Sequence, residues 1–182
     1  KNVTVNYSEY DKLLEDVDAV AIGSYYGNRG SLAIRALQAG KHVISDKPLC
    51  TSVEELDTIK KLAEEKSLTV GIMLDLRDNK IVSTAQKLIR DGEIGKINNI
   101  RFEGHHPLMY GYRPNWYFEN GKYGGVINDI AIHGIDLIRR FTDSNIDKIL
   151  AARCWNFYAK ECPLFEDSAQ FMLQMEDGTG VI

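Results

Sequence analysis

Lys47, Asp129 and His133 are the side chains whose types and spacing could do chemistry. Lys47 follows the run His42-Val43-Ile44, which is short, partly β-branched and bounded by turn residues, and so predicts a buried parallel strand. At its carboxyl end stand Asp46, Lys47 and Pro48. Ligands of open α/β sheets bind outside the carboxyl ends of the strands. A lysine ammonium there is a compact charge on a flexible stem, and its pKa shifts readily on desolvation. The same residue would also serve as an ordinary solvated lysine in a strand-to-helix turn. Asp129 and His133 are four apart, which puts them on one face of a helix. A carboxylate one turn from an imidazole can orient it, and an imidazole moves protons near neutral pH. Otherwise the spacing gives a plain helical pair worth a few tenths of a kcal/mol. Gly124 and Gly125 precede the pair and let the backbone approach a neighbour or ligand closely.

These groups need elements to hold them. Val3–Asn6 is expected as a short strand. Ser8 is expected to cap a helix running to about Asp16. Asp18–Ile22 is expected as a strand, and a loop over Gly23–Asn28 leaves its carboxyl end. A helix from about Arg29 to Ala39 is closed by Gly40. Ser52-x-x-Glu55 reads as a capping box opening a helix to about Lys66, and Leu68–Met73 as the next strand. Strands alternating with helices of this length form parallel βαβ units.

Beyond residue 74 the pattern changes. An amphipathic helix is expected over Asp78–Arg90, ended by Gly92, and a long strand over Lys96–His105. Pro107–Gly125 is an irregular loop rich in aromatic residues. A helix is expected over Val126–Phe141, and strands over Lys148–Tyr158 and Ser168–Glu176. Asp177-Gly178 signals a hairpin turn. This half is expected to be an α+β layer with a mostly antiparallel, open sheet. Two domains follow, 1–74 and 75–182.

The 182 residues suffice for a sizeable core, and 44% hydrophobic with 26% charged residues is ordinary for a globular chain. The net charge of −4 argues against nucleic-acid binding, which needs a basic face. No apolar run approaches a membrane span and no secretory leader is visible, so a cytoplasmic location is expected. Cys50, Cys154 and Cys162 are odd in number and irregular in spacing, which suggests reduced thiols. Cys154, Cys162 and His105 or His106 fit no usual zinc spacing, and no metal is expected.

The stretch GKHVISDKPLC, residues 40–50, resembles the GKHVxxEKPLA signature of the Gfo/Idh/MocA oxidoreductases. GGVINDIAIHGID, residues 124–136, is similar to that family's small-residue Asp-x-x-x-His helix. The resemblance covers nearly all of the chain. It departs at Asp46, where the family usually has Glu, and at Ser24-Tyr25-Tyr26, where Thr-Pro-Asn is frequent. Arg29 stands where the family often has His.

The resemblance implies a partial Rossmann-like domain, NAD or NADP as cofactor, and hydride transfer involving a sugar, inositol or related polyol. It implies that His133 takes the hydroxyl proton. Lys47 would hydrogen-bond the reacting oxygen and help hold the nicotinamide, and Asp129 would position substrate or His133. Whether His133 or Lys47 is the base stays open. Ser24, Tyr25, Asp46, Lys47 and Pro48 would line the cofactor, with a cis Lys47–Pro48 bond. Lys47 and His133 would face one cleft between the halves. Arg113 and Trp116 would face substrate, and an arginine could hold a carboxylate or phosphate bidentately. The aromatic loop would equally serve as packing over the helix. A homo-oligomer is implied.

No G-x-G-x-x-G occurs in the chain, so an internal fragment of a protein nearly twice as long is expected, inactive alone. The alternative is a non-catalytic nucleotide- or sugar-binding sensor of the same fold.

Overall fold

The structure is a computed structural model and describes residues 9–182. The expected strand Val3–Asn6 and cap Ser8 lie outside the described residues. Two compact units divide the chain, Lys1–Met73 and Leu74–Ile182.

In the first unit, helix α1 (Tyr10–Glu15) precedes strand β1 (Ala19–Ile22), helix α2 (Tyr26–Gln38), strand β2 (His42–Asp46), helix α3 (Val53–Lys66) and strand β3 (Val70–Met73). The strands pair in parallel in the order β1-β2-β3, with Val20 opposite Val43 and Val43 opposite Val70. The N-cap of α1 is Glu9, whose side chain makes no capping bond. Val20, Ile22 and Val43 are buried with Leu14, Ala33, Ala36, Leu37 and Ile59 from the helices. Burial alternates along β1 and β2: Val43 of the central strand is buried, while Ile44 is 48% exposed. Period-two alternation puts successive side chains on opposite faces, and here the helices cover one of them.

Two local features set the geometry around β2. Gly40, at φ +76°, closes α2 as expected. Ser52 caps α3 by accepting the Glu55 N–H at 3.3 Å, while its hydroxyl donates to Glu54. The Glu55 carboxylate itself lies against Gly30 of α2, where a Cβ would fall 2.1 Å from Oε2. A larger residue at this position would have to displace the Glu55 side chain and would crowd the Cys50 Cβ, 2.9 Å away.

The second unit opens with a 3₁₀ turn (Asp75–Asp78) and helix α4 (Lys80–Arg90), capped by Asn79 Oδ1 on the Ile81 N–H at 2.8 Å. Strands β4 (Asn99–Ile100), β5 (Ile146–Trp155), β6 (Ser168–Met175) and β7 (Gly180–Val181) form one sheet in the order β4-β7-β6-β5. The β4–β7 pair is parallel and the rest antiparallel. The Asp177-Gly178 hairpin forms as expected, with Gly178 at φ +90°. Helix α5 (Ile132–Thr142) covers the sheet through Ile138, which packs with Leu173, Met175 and Val181.

Three expectations in this unit are corrected. The strand expected over Lys96–His105 is regular only at Asn99–Ile100. Beyond it the Phe102 N–H donates to the carbonyl of Ile182 at 3.0 Å. Strand β5 stops at Trp155 and not Tyr158, because the Asp167 carboxylate accepts the N–H groups of Phe157, Tyr158 and Ala159 and folds them into a turn. The helix expected over Val126–Phe141 begins with a π turn, Ile127–Ala131, before α5. Gly134 of α5 seats the helix on Phe102, whose ring would lie 2.4 Å from a Cβ at that position.

Candidate functional site

Lys47 lies at the carboxyl end of β2, and its bond to Pro48 is cis, as expected. The turn is braced by Arg29, which is only 2% exposed. Arg29 donates to Ser24 O at 2.7 Å, to Lys47 O, to Pro48 O at 3.3 Å and to Asp46 Oδ2 at 2.9 Å. Its guanidinium also lies 4.6 Å from the Tyr26 ring centre. One buried cation thus ties the loop after β1 to the loop after β2. Asp46 completes the turn by accepting the Lys47 N–H on Oδ1 at 2.8 Å.

Sequence reasoning noticed Arg29 only as a departure. Its signal was present: the buried face of α2 runs through Tyr26, Arg29, Gly30, Ala33, Ala36 and Leu37, so a charge occupies an apolar stripe. Tyr25 is the N-cap of α2, and its side chain makes no capping bond. The first turn of α2 carries no acidic residue. A helix start beside the carboxyl ends of parallel strands suits an anionic, hydrogen-bonding cofactor such as a dinucleotide. Ser24, Tyr25, Asp46, Lys47 and Pro48 gather at this end of the first unit.

In the second unit, Asp129 sits in the π turn and is 5% exposed. Tyr117, itself 7% exposed, donates its hydroxyl to Asp129 Oδ2 at 2.6 Å. His106 Nδ1 lies 3.8 Å from the same oxygen. His133 follows at the start of α5, with Nδ1 4.0 Å from the Asp75 carboxylate. The 3₁₀ turn that carries Asp75 is pinned to α5 by Arg77, which donates twice to Asp136. That ion pair holds the Arg77 guanidinium more firmly protonated than usual. The π turn corrects the simple four-residue spacing argument, because a wider turn re-aims Asp129 relative to α5. Such turns are frequent at functional sites.

Arg113 stacks on the Tyr117 ring at 4.1 Å and donates to Leu108 O at 3.2 Å. Trp116 meets the Tyr117 ring edge-on at 6.0 Å. Tyr117, Phe118, Tyr123 and Phe165 pack ring against ring, so much of the aromatic loop is a small core of its own. Tyr117 and Asp75 were missed from sequence, since nothing in their spacing sets them apart from neighbouring aromatics and acids.

Residues 1–74 match the family described as an oxidoreductase family with an NAD-binding Rossmann fold, and residues 82–182 match the GFO/IDH/MocA C-terminal domain. The chain belongs to the Gfo/Idh/MocA oxidoreductase family. It is 31% identical over 139 residues to levoglucosan dehydrogenase of Pseudarthrobacter phenanthrenivorans, covering 72% of this chain and 35% of that protein. It is 28% identical over 134 residues to an NADP(+) scyllo-inositol 2-dehydrogenase of Bacillus subtilis, covering 70% of this chain and 36% of that protein. An oxidoreductase structure from Erwinia carotovora atroseptica superposes with a TM-score of 0.88 at 29% identity, over 96% of this chain and 53% of that one. The chain thus spans about a third of these two relatives' length and about half of the solved chain. Among the described residues, no helix is long and apolar enough to cross a membrane.

Proposed function

We propose that the full-length protein carrying this chain is an NAD(P)-dependent oxidoreductase acting on a CH–OH carbon of a sugar, inositol or related polyol. The observation that carries the reading is Lys47 at the carboxyl end of β2, in a chain that also holds a buried Asp129 one helical turn before His133. The Gfo/Idh/MocA membership and the named substrates of the two relatives support it.

The bound nicotinamide would supply hydride chemistry, and the protein supplies orientation and electrostatics. Ser24, Tyr25 and the turn Asp46-Lys47-Pro48 hold the cofactor. Lys47 hydrogen-bonds the reacting oxygen, its backbone fixed by Arg29. His133 takes the hydroxyl proton. Asp129, fixed by Tyr117, orients His133 or a substrate hydroxyl. Arg113 and Trp116 shape the substrate side. Residues 1–182 alone, which contain no G-x-G-x-x-G, should not turn over. We further propose a cytoplasmic homo-oligomer.

The test is NAD(P)H absorbance of the full-length protein with a panel of inositols, aldoses and deoxy sugars. At least one polyol should be oxidised, and Lys47→Ala or His133→Ala should lower turnover about 10²–10⁴-fold. Cofactor binding without reduction across the panel, with both variants binding ligand like the unsubstituted protein, overturns this reading in favour of a non-catalytic sensor.

A further inference from the structure

We propose that His106 is a second proton-carrying residue of the site, linking Asp129 to solvent. The inference rests on the oxidoreductase reading above. Oxidising a CH–OH carbon breaks its C–H and O–H bonds as C=O forms. The hydride takes the C–H electron pair to the nicotinamide, the O–H pair becomes part of the carbonyl, and the proton goes to a base of the protein. Each such turnover leaves one proton on the protein, and it must depart before the next.

The groups nearest the chemistry are shielded from bulk water. The side chain of His133 is 13% exposed and that of Asp129 7%. The His106 side chain is 47% exposed, yet its Nδ1 lies 3.8 Å from Asp129 Oδ2. That oxygen is the one Tyr117 fixes at 2.6 Å, so the carboxylate is held facing both partners. This separation is within ion-pair range for a protonated imidazole, and a small turn of the ring would bring the two atoms to hydrogen-bonding distance. An imidazole changes charge near neutral pH and has a second nitrogen from which to release the proton.

His106 also lines a cavity of about 1270 Å³ within the second unit. Arg101, Glu103 and His105 on its own segment line the same cavity, with Arg153 of β5, Asp167 ahead of β6, and Tyr110 and Tyr158. The proposed route leaves the site through Asp129, four residues before His133, then passes to His106 and out. His106 acts through Asp129 and need not touch substrate.

The experiment measures turnover of the full-length protein on whichever polyol it oxidises fastest, in dilute buffer, with and without added imidazole. His106→Ala should lower kcat about 10²-fold with KM and cofactor affinity unchanged, and imidazole should restore it saturably. His106→Gln, which keeps size and polarity, should be equally slow in dilute buffer. Tyr117→Phe should lower kcat without imidazole rescue, because it disturbs Asp129 and leaves the exposed imidazole in place. Either His106 variant turning over normally in dilute buffer overturns the relay. So does a slow His106→Ala that imidazole leaves slow. No turnover in the unsubstituted protein removes the oxidoreductase reading and the relay with it, whereas normal turnover with silent His106 variants removes the relay alone.

Discussion

Arg29 occupies a core position of an amphipathic helix, and its acceptors decide what its loss does. Three backbone carbonyls and one Asp46 oxygen take its protons. Removing one partner of a fully buried ion pair costs about 3–5 kcal/mol, because a charge is stranded. Here the Asp46 side chain is 46% exposed, so water can replace the lost donor on that side. The carbonyls of the two loops have less recourse. Arg29→Ala should therefore destabilise the full-length protein by about 2–4 kcal/mol, read as a lower urea midpoint. Arg29→Lys should recover little, since one ammonium cannot reproduce a planar fork aimed at several acceptors. A change within about 0.5 kcal/mol for Arg29→Ala would show that the brace is idle. The variant should also raise KM for the cofactor, because the loops it ties include Ser24 and Lys47.

At the scale of elements, the parallel strands, the caps at Gly40 and Ser52, and the Asp177-Gly178 hairpin were legible because each is a local rule. The errors lay where distant residues decide. Lys96–His105 has strand-like residues, but only Asn99–Ile100 pairs regularly, and its partner is β7, some eighty residues on. Lys148–Tyr158 reads as one strand, but Asp167, nearly ten residues on, captures the N–H groups of Phe157, Tyr158 and Ala159 at 2.8, 2.7 and 2.9 Å. The π turn at Asp129 has no sequence periodicity of its own, and the Tyr117 contact that accompanies it comes from a short 3₁₀ turn, Asn115–Phe118. The motif residues of the candidate site could thus be named from sequence, while the side chains that hold them could not.

The Asp167 turn yields a pH prediction. Burial raises its pKa, but the hydrogen bonds from Phe157, Ala159, Tyr158 and Ser168 outweigh that and hold the carboxyl below its ordinary value of 3.8. A carboxyl depressed in the folded state contributes stability above its unfolded pKa, and that contribution is lost as pH falls through the folded value. Asp167→Ala should lower the urea midpoint at about pH 7, and its deficit should shrink steadily below about pH 4. An equal deficit at both ends of that range would show that the carboxylate charge does not hold the turn.

At the scale of the whole molecule, the proposed chemistry draws on residues of both units. Lys47 belongs to the unit with the parallel sheet, and Asp129 and His133 to the unit with the mixed sheet. Each unit has its own buried cluster, so each can hold its own groups rigidly. If Lys47 and His133 act on one substrate oxygen, their contributions to turnover must be coupled. Two groups that act as a unit are strongly non-additive, because once one is gone the other has little left to assist. Groups acting on independent steps or separate ligands add within about 0.3–0.5 kcal/mol. The measurement is a double-mutant cycle on kcat/KM in the full-length protein, with Lys47→Ala, His133→Ala and the pair. Each single change should cost about 10²–10⁴-fold. The double variant should be slower than the worse single by no more than about tenfold, well short of the product of the two. A double variant slowed by the full product would separate the two residues and leave His133 and Asp129 as a pair whose work does not involve Lys47.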